Sequence, residues 1–103
     1  MMKVEFHSTH PDYRSFGEWI EEKKAALLAS GNQAGHDSII AAETKKKQIM
    51  AEHGQAFQII GNQATETGHV MVITEPGPTC EEYQALWNEW MAFYGVTETV
   101  TEM

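Results

Sequence analysis

From Met2 to His7 apolar and polar residues alternate, with Met2, Val4 and Phe6 on one side and Lys3, Glu5 and His7 on the other. A period of two predicts a half-buried strand. Thr9-His10-Pro11-Asp12 interrupts it, since Pro11 lacks an amide donor and biases His10 towards extended backbone. The period then lengthens. Phe16, Trp19, Ile20, Leu27 and Leu28 recur at helical spacing, which predicts a helix to about Ala29. Asp12 or Ser15 can cap it, and Ser15-Phe16-Gly17-Glu18 fits the capping box, in which hydroxyl and carboxylate satisfy orphan amides reciprocally. Gly31 and Asn32 stop this helix, and Asp37 offers the cap of a second. That second helix carries a weaker stripe of Ile39, Ile40, Ala42, Ile49 and Met50, turns Lys45, Lys46 and Lys47 to solvent, and ends at Gly54 as a left-handed residue. One long kinked helix is disfavoured, because Gly31 and Gly35 with Asn32 between them cost too much helix propensity.

Ala56 to Ile60 and His69 to Thr74 are β-rich, and the polar stretch Gly61 to Gly68 joins them, which predicts a hairpin with a long loop. Val70-Met71-Val72-Ile73 is apolar on both faces and suits a central strand with cover on both sides. Pro76-Gly77-Pro78 ends it, and Thr79-Cys80-Glu81-Glu82 reads as a second capping box. The helix that follows has a broad stripe of Tyr83, Leu86, Trp87, Trp90, Met91 and Tyr94 and closes at Gly95. Val96 to Thr101 is rich in β-branched residues and predicts a last strand.

The order is strand, two helices, two strands, helix, strand. It predicts an α+β, ferredoxin-like domain over residues 1–103: a four-stranded antiparallel sheet in the order β-α-α-β-β-α-β, with an extra helix in the first crossover. This layout, with Gly68-His69-Val70-Met71-Val72-Ile73 followed by the Trp87/Trp90 helix and a short last strand, resembles the dimeric α+β-barrel superfamily of small monooxygenase-like and uncharacterised domains. The resemblance implies a homodimer in which two sheets face one another, with a ligand between sheet and helices or inside the barrel. The helical insertion at about Asp37 to His53 departs from its simplest members.

Composition narrows the field. Hydrophobic residues make up 42% of the 103 residues, enough for an ordinary core. The net charge of −8 is unevenly spread: all seven basic residues lie at or before Lys47, and the eight acids from Glu52 onward have no basic neighbour in sequence. Direct nucleic-acid binding through a basic surface is therefore not expected. No apolar run reaches the length of a membrane helix and no secretory signal opens the chain, so the reading is a soluble, cytoplasmic protein without membrane contact. Cys80 is the only cysteine, which excludes an internal disulfide and thiolate zinc sites, and it reads as a free cap residue.

Five histidines carry the candidate chemistry. With the first and third strands adjacent, and Val4, Phe6, Val70 and Val72 assigned to the helix-packed face, His7 is expected to face His69 on the open sheet face, with Glu5 near Met71 and His10 at the same end. His7 and His69 are then candidate acid/base groups, and Glu5, His10, Met71 and Trp87 candidate ligand contacts. Two or three imidazoles beside a carboxylate also suit a transition metal, but their spacing is not that of a metal motif, so no metal ligand is assigned and the cofactor is left open. His36 and His53 flank the second helix as capping residues. The expected function is binding of a small molecule on the open sheet face by a homodimer, with turnover left open. The alternative is a non-enzymatic acidic inhibitor, of the phage or mobile-element kind and acting as a nucleic-acid mimic, in which Glu81, Glu82, Glu89, Glu98 and Glu102 meet a basic protein partner.

Overall fold

A computed structural model describes residues 1–103 as seven elements: β1 (Met2–His7), α1 (Phe16–Ala29), α2 (Gln33–His53), β2 (Ile59–Thr65), β3 (Gly68–Ile73), α3 (Glu81–Tyr94) and β4 (Thr97–Glu102). The four strands form one antiparallel sheet in the order β2-β3-β1-β4, the ferredoxin-like arrangement, with a second helix inserted in the first crossover. All three helices contribute to a core on one face. Val4, Phe6 and Ile73 of the sheet meet Phe16, Trp19 and Ile20 of α1, Ile39 of α2, and Trp90 and Tyr94 of α3. Trp90 is completely buried, and its Nε1 donates to the Arg14 carbonyl at 2.8 Å, so the β1–α1 loop is tied to the centre of α3. Ser8 closes the end of β1 in the same way, donating its hydroxyl to the Tyr94 carbonyl at 2.7 Å while its amide donates to the Thr67 carbonyl at 2.8 Å.

Capping follows local chemistry, with three departures from expectation. Ser15 caps α1, its Oγ accepting from the Glu18 amide at 3.3 Å, but the Glu18 carboxylate takes the Ser15 hydroxyl at 3.0 Å instead of the Ser15 amide, so only the hydroxyl half of the capping box forms. Asn32, not Asp37, caps α2: its side chain accepts from the Gly35 amide at 2.9 Å. The residue expected to stop one helix starts the next, and Asp37 lies inside α2, bonded to the Gln33 and His36 side chains. At α3 the cap is Cys80, with no side-chain bond to the helix, in place of the Thr79 box. Gly54 and Gly95 end α2 and α3 at positive φ, Gly95 in the left-handed helical region.

The hairpin is tighter than its composition suggests. β2 begins at Ile59 and continues through Gly61-Asn62-Gln63-Ala64-Thr65, residues expected in a loop, and only Glu66-Thr67 turns the chain. A polar edge strand with no buried residue carries no apolar alternation for sequence periodicity to detect.

The register of β1 against β3 sets which side chains share a face. Phe6 pairs with His69, Val4 with Met71 and Met2 with Ile73, while His7 pairs with Gly68, Glu5 with Val70 and Lys3 with Val72. Directly paired residues share a face, so His69, Met71 and Ile73 point towards the helices and Val70 and Val72 lie on the open face. This reverses the expected assignment of β3. Its Val-Met-Val-Ile run is apolar on both sides and leaves the face undetermined, and one residue of register exchanges the two faces. Gly68 fixes the choice: a Cβ there would collide with the Phe6 carbonyl oxygen, so only glycine lets β3 start this close to β1.

Candidate functional site

The helix-side cleft is built by three elements. The β1–α1 loop lays Tyr13 over the start of β3, the first turn of α1 brings Phe16 and Gly17 along one wall, and α3 presents Trp87. The floor is the helix-facing side of β2 and β3, namely Asn62, Ala64, His69 and Met71. The volume is about 680 Å³, within the range of small-molecule sites, and a few polar groups converge on apolar and aromatic walls as such sites require. A depression of about 500 Å³ along Thr79 to Asn88 is lined only by α3 and the residues that lead into it, and is relief on the helix surface.

His69 is the polar centre of the cleft. Its ring stacks on Phe6 with centroids 4.8 Å apart, and Tyr13 Oη lies 3.3 Å from Nδ1. Burial holds the His69 imidazole below its ordinary pKa of 6.5, because a half-buried ring resists charging. The Tyr13 phenol is pushed up, first by burial and then by the Glu18 carboxylate, so it keeps its proton. A neutral imidazole and a protonated phenol therefore meet edge to edge. Tyr13 donates to Nδ1 in the tautomer that carries the imidazole proton on Nε2, and Nε2 has no protein partner. Such a pair can donate to or accept from a polar group on a ligand, and can exchange a proton with it. Trp87 is backed by buried aromatic rings: Phe16 lies 4.4 Å from it, and Phe6 lies 5.5 Å from it in an edge-on contact.

Of the residues singled out in the sequence, the cleft gathers His69, Met71 and Trp87 and leaves out His7, Glu5 and His10. His7 and His69 are on opposite faces of the sheet, which corrects the expected facing pair. His7 Nδ1 contacts Thr67 Oγ1 at 3.0 Å, and Glu5 stands beside Val70 instead of Met71. His10 turns to the C-terminal end of α3, where its Nδ1 accepts from the Asp12 amide at 3.0 Å and its ring packs edge-on against Tyr94 at 5.2 Å. His36 and His53 pair with Asp37 and Glu75, so neither joins the others. No three His, Cys, Asp or Glu side chains are grouped to hold a metal ion. Tyr13 and Glu18 are cleft residues that sequence periodicity passes over. Tyr13 is the only aromatic residue between β1 and α1, a position from which a loop side chain can fold back over the sheet.

The uneven charge of the sequence is partly cancelled in space. Lys45 of α2 bonds both carboxylate oxygens of Glu82 at 3.1 Å, and Lys23 of α1 pairs with Glu89. Two of the five glutamates expected to meet a basic partner are thus held by lysines of the same chain, and Glu81, Glu98 and Glu102 remain exposed. No helix is long and apolar enough to cross a membrane. No family model, curated protein or solved structure matches the chain.

Proposed function

We propose that this chain binds a small molecule in the cleft between α1, α3 and the β2–β3 floor, and acts as a homodimer through the opposite face of the sheet. The observation that carries the ligand reading is the convergence of the Tyr13–His69 pair with Phe16, Met71 and Trp87 on one cleft of about 680 Å³. The small-molecule function expected on the open sheet face thereby falls to the helix side. His69 supplies the hydrogen-bonding and proton-exchanging group, Tyr13 orients it, and Trp87 and Met71 provide contact area.

Two features support the homodimer, the association found in the dimeric α+β-barrel group that the chain resembles. The chain exposes 6540 Å² at a mass of 11.6 kDa, against about 5,800 Å² for a typical monomer of that mass. The excess, about 700 Å², is close to the ~800 Å² that each partner contributes to a standard interface. The open face also suits a second copy, since Val70 and Val72 run down its centre beside Lys3 and Glu5. Across a two-fold axis Lys3 of one copy can meet Glu5 of the other.

Calorimetric titration with 2-naphthalenemethanol, a flat probe with one hydroxyl, tests the ligand reading. Trp87→Ala is expected to weaken binding about tenfold or more, and His69→Ala to reduce the binding enthalpy. Equal binding by both variants and the parent chain would overturn it.

A further inference from the structure

The charges around the cleft are one-sided. Among the residues that line it there is no lysine or arginine, and Glu18 is the only charged side chain. His69, the one lining group that could become cationic, is held neutral by burial. The three glutamates of α1 differ in their surroundings. Glu21 pairs with Lys24 at 2.8 Å and Glu22 with Arg14 at 3.6 Å, but Glu18 enters none of the ion pairs of the chain. Arg14, the nearest basic residue in sequence, is engaged by Glu22 and by the Tyr13 carbonyl. The free glutamate of α1 is thus the one that faces the cleft. Glu18 Oε1 accepts from Ser15 and Oε2 has no protein donor. Its negative charge also lies at the N-terminal end of α1, where it offsets the partial positive charge that would otherwise favour an anion. The part-exposed Trp87 indole adds aromatic surface to the same space, and aromatic π-surface attracts a cation as well.

We infer that the cleft selects a flat aromatic ligand with a positive charge, an aryl- or heteroarylalkyl amine, and that Glu18 sets this preference by receiving the ammonium group. This deepens the ligand-binding reading and rests on it. The aromatic body lies along Phe16, Met71 and Trp87, and the ammonium reaches Glu18 at the mouth. The exposed setting of Glu18 limits the discrimination: one screened charge pair gives a few-fold change, and exchanging a cation for an anion changes its sign, so a ratio of about five is expected.

The test is a titration of the 15N-labelled full chain with three matched probes, 2-naphthylmethylamine, 2-naphthalenemethanol and 2-naphthoate, at low salt, following the amide signals of Gly17, Gly68 and His69. The expected order of affinity is amine, alcohol, carboxylate, with the amine about fivefold tighter than the carboxylate. Glu18→Gln keeps an acceptor for the Ser15 hydroxyl and is expected to bring that ratio to about one. Equal affinities for the three probes, or an unchanged order in Glu18→Gln, would overturn the charge selection while leaving the cleft a ligand site. If no probe shifts these signals at millimolar concentration, both the selection and the ligand reading fall.

Discussion

At Gly68 a single missing side chain decides the geometry of the whole site. A methyl group at this position would meet the Phe6 carbonyl oxygen, a backbone atom that cannot move without parting β1 from β3. Gly68→Ala is expected to destabilise the fold by about 2 kcal/mol or more, read from urea unfolding, because close backbone contact leaves no relaxation route. Gly61→Ala, whose added carbon would meet nothing within 4 Å, serves as the control and should change stability far less. His69 makes a second residue-scale prediction. Its pKa is lowered in the fold by burial, so the unfolded chain binds the proton more tightly. Stability from this residue is therefore fully present above pH 6.5, declines as pH falls below that value, and levels off below the native pKa. Thermal midpoints of the parent chain and of His69→Gln between pH 7.5 and 5.5 isolate the effect from the carboxylates. The parent chain should lose more stability over that interval; equal losses would show that the imidazole is not buried in the fold.

Elements are where the sequence was most and least informative. Asn32→Ala should cost about 1 kcal/mol, since it removes the acceptor for the Gly35 amide, whereas Asp37→Ala, within α2, should cost clearly less. Unfolding of the two variants separates the cap found here from the one expected. β1, α1, α3 and the ferredoxin-like order were legible because Met2, Val4 and Phe6 keep a period of two, and the Phe16 and Trp90 helices carry apolar stripes broad enough to fix their faces. The polar half of β2 was not legible, because an edge strand buries nothing and gives no periodic signal. The orientation of β3 was not legible for the opposite reason: Val70, Met71, Val72 and Ile73 are apolar in both registers. Of the candidate site, Met71, His69 and Trp87 were found as residues, but their meeting place was not. It depends on that one-residue register and on a loop tyrosine with no partner near in sequence.

At the scale of the molecule, charge and shape act against each other. The helices cover one face of the sheet and leave the other bare, and the flat form, 46 by 37 by 18 Å, gives a second copy a broad surface. A net charge of −8 on each copy opposes their approach. Self-association across the open face is therefore expected to strengthen as salt rises from about 20 to 200 mM, because screening weakens the long-range repulsion. Sedimentation equilibrium of the parent chain and of Val72→Glu tests this. The variant should be monomeric at concentrations where the parent associates, and association insensitive to Val72→Glu would place any interface elsewhere. The internal pairs Lys23–Glu89 and Lys45–Glu82 join α1 and α2 to α3, so basic and acidic halves that look separate along the chain are interleaved on the helical layer.

The two faces of the sheet can be distinguished most directly by the histidine side chains, one on each side. Proton NMR of the His7 and His69 imidazoles, assigned through His7→Gln and His69→Gln and followed during titration with 2-naphthylmethylamine, reads both faces in one experiment. The expected result is a saturable shift of the His69 ring, together with the Trp87 indole, while the His7 ring stays unmoved. A shift of His7 with His69 unmoved, or of neither, would contradict a ligand site on the helix side.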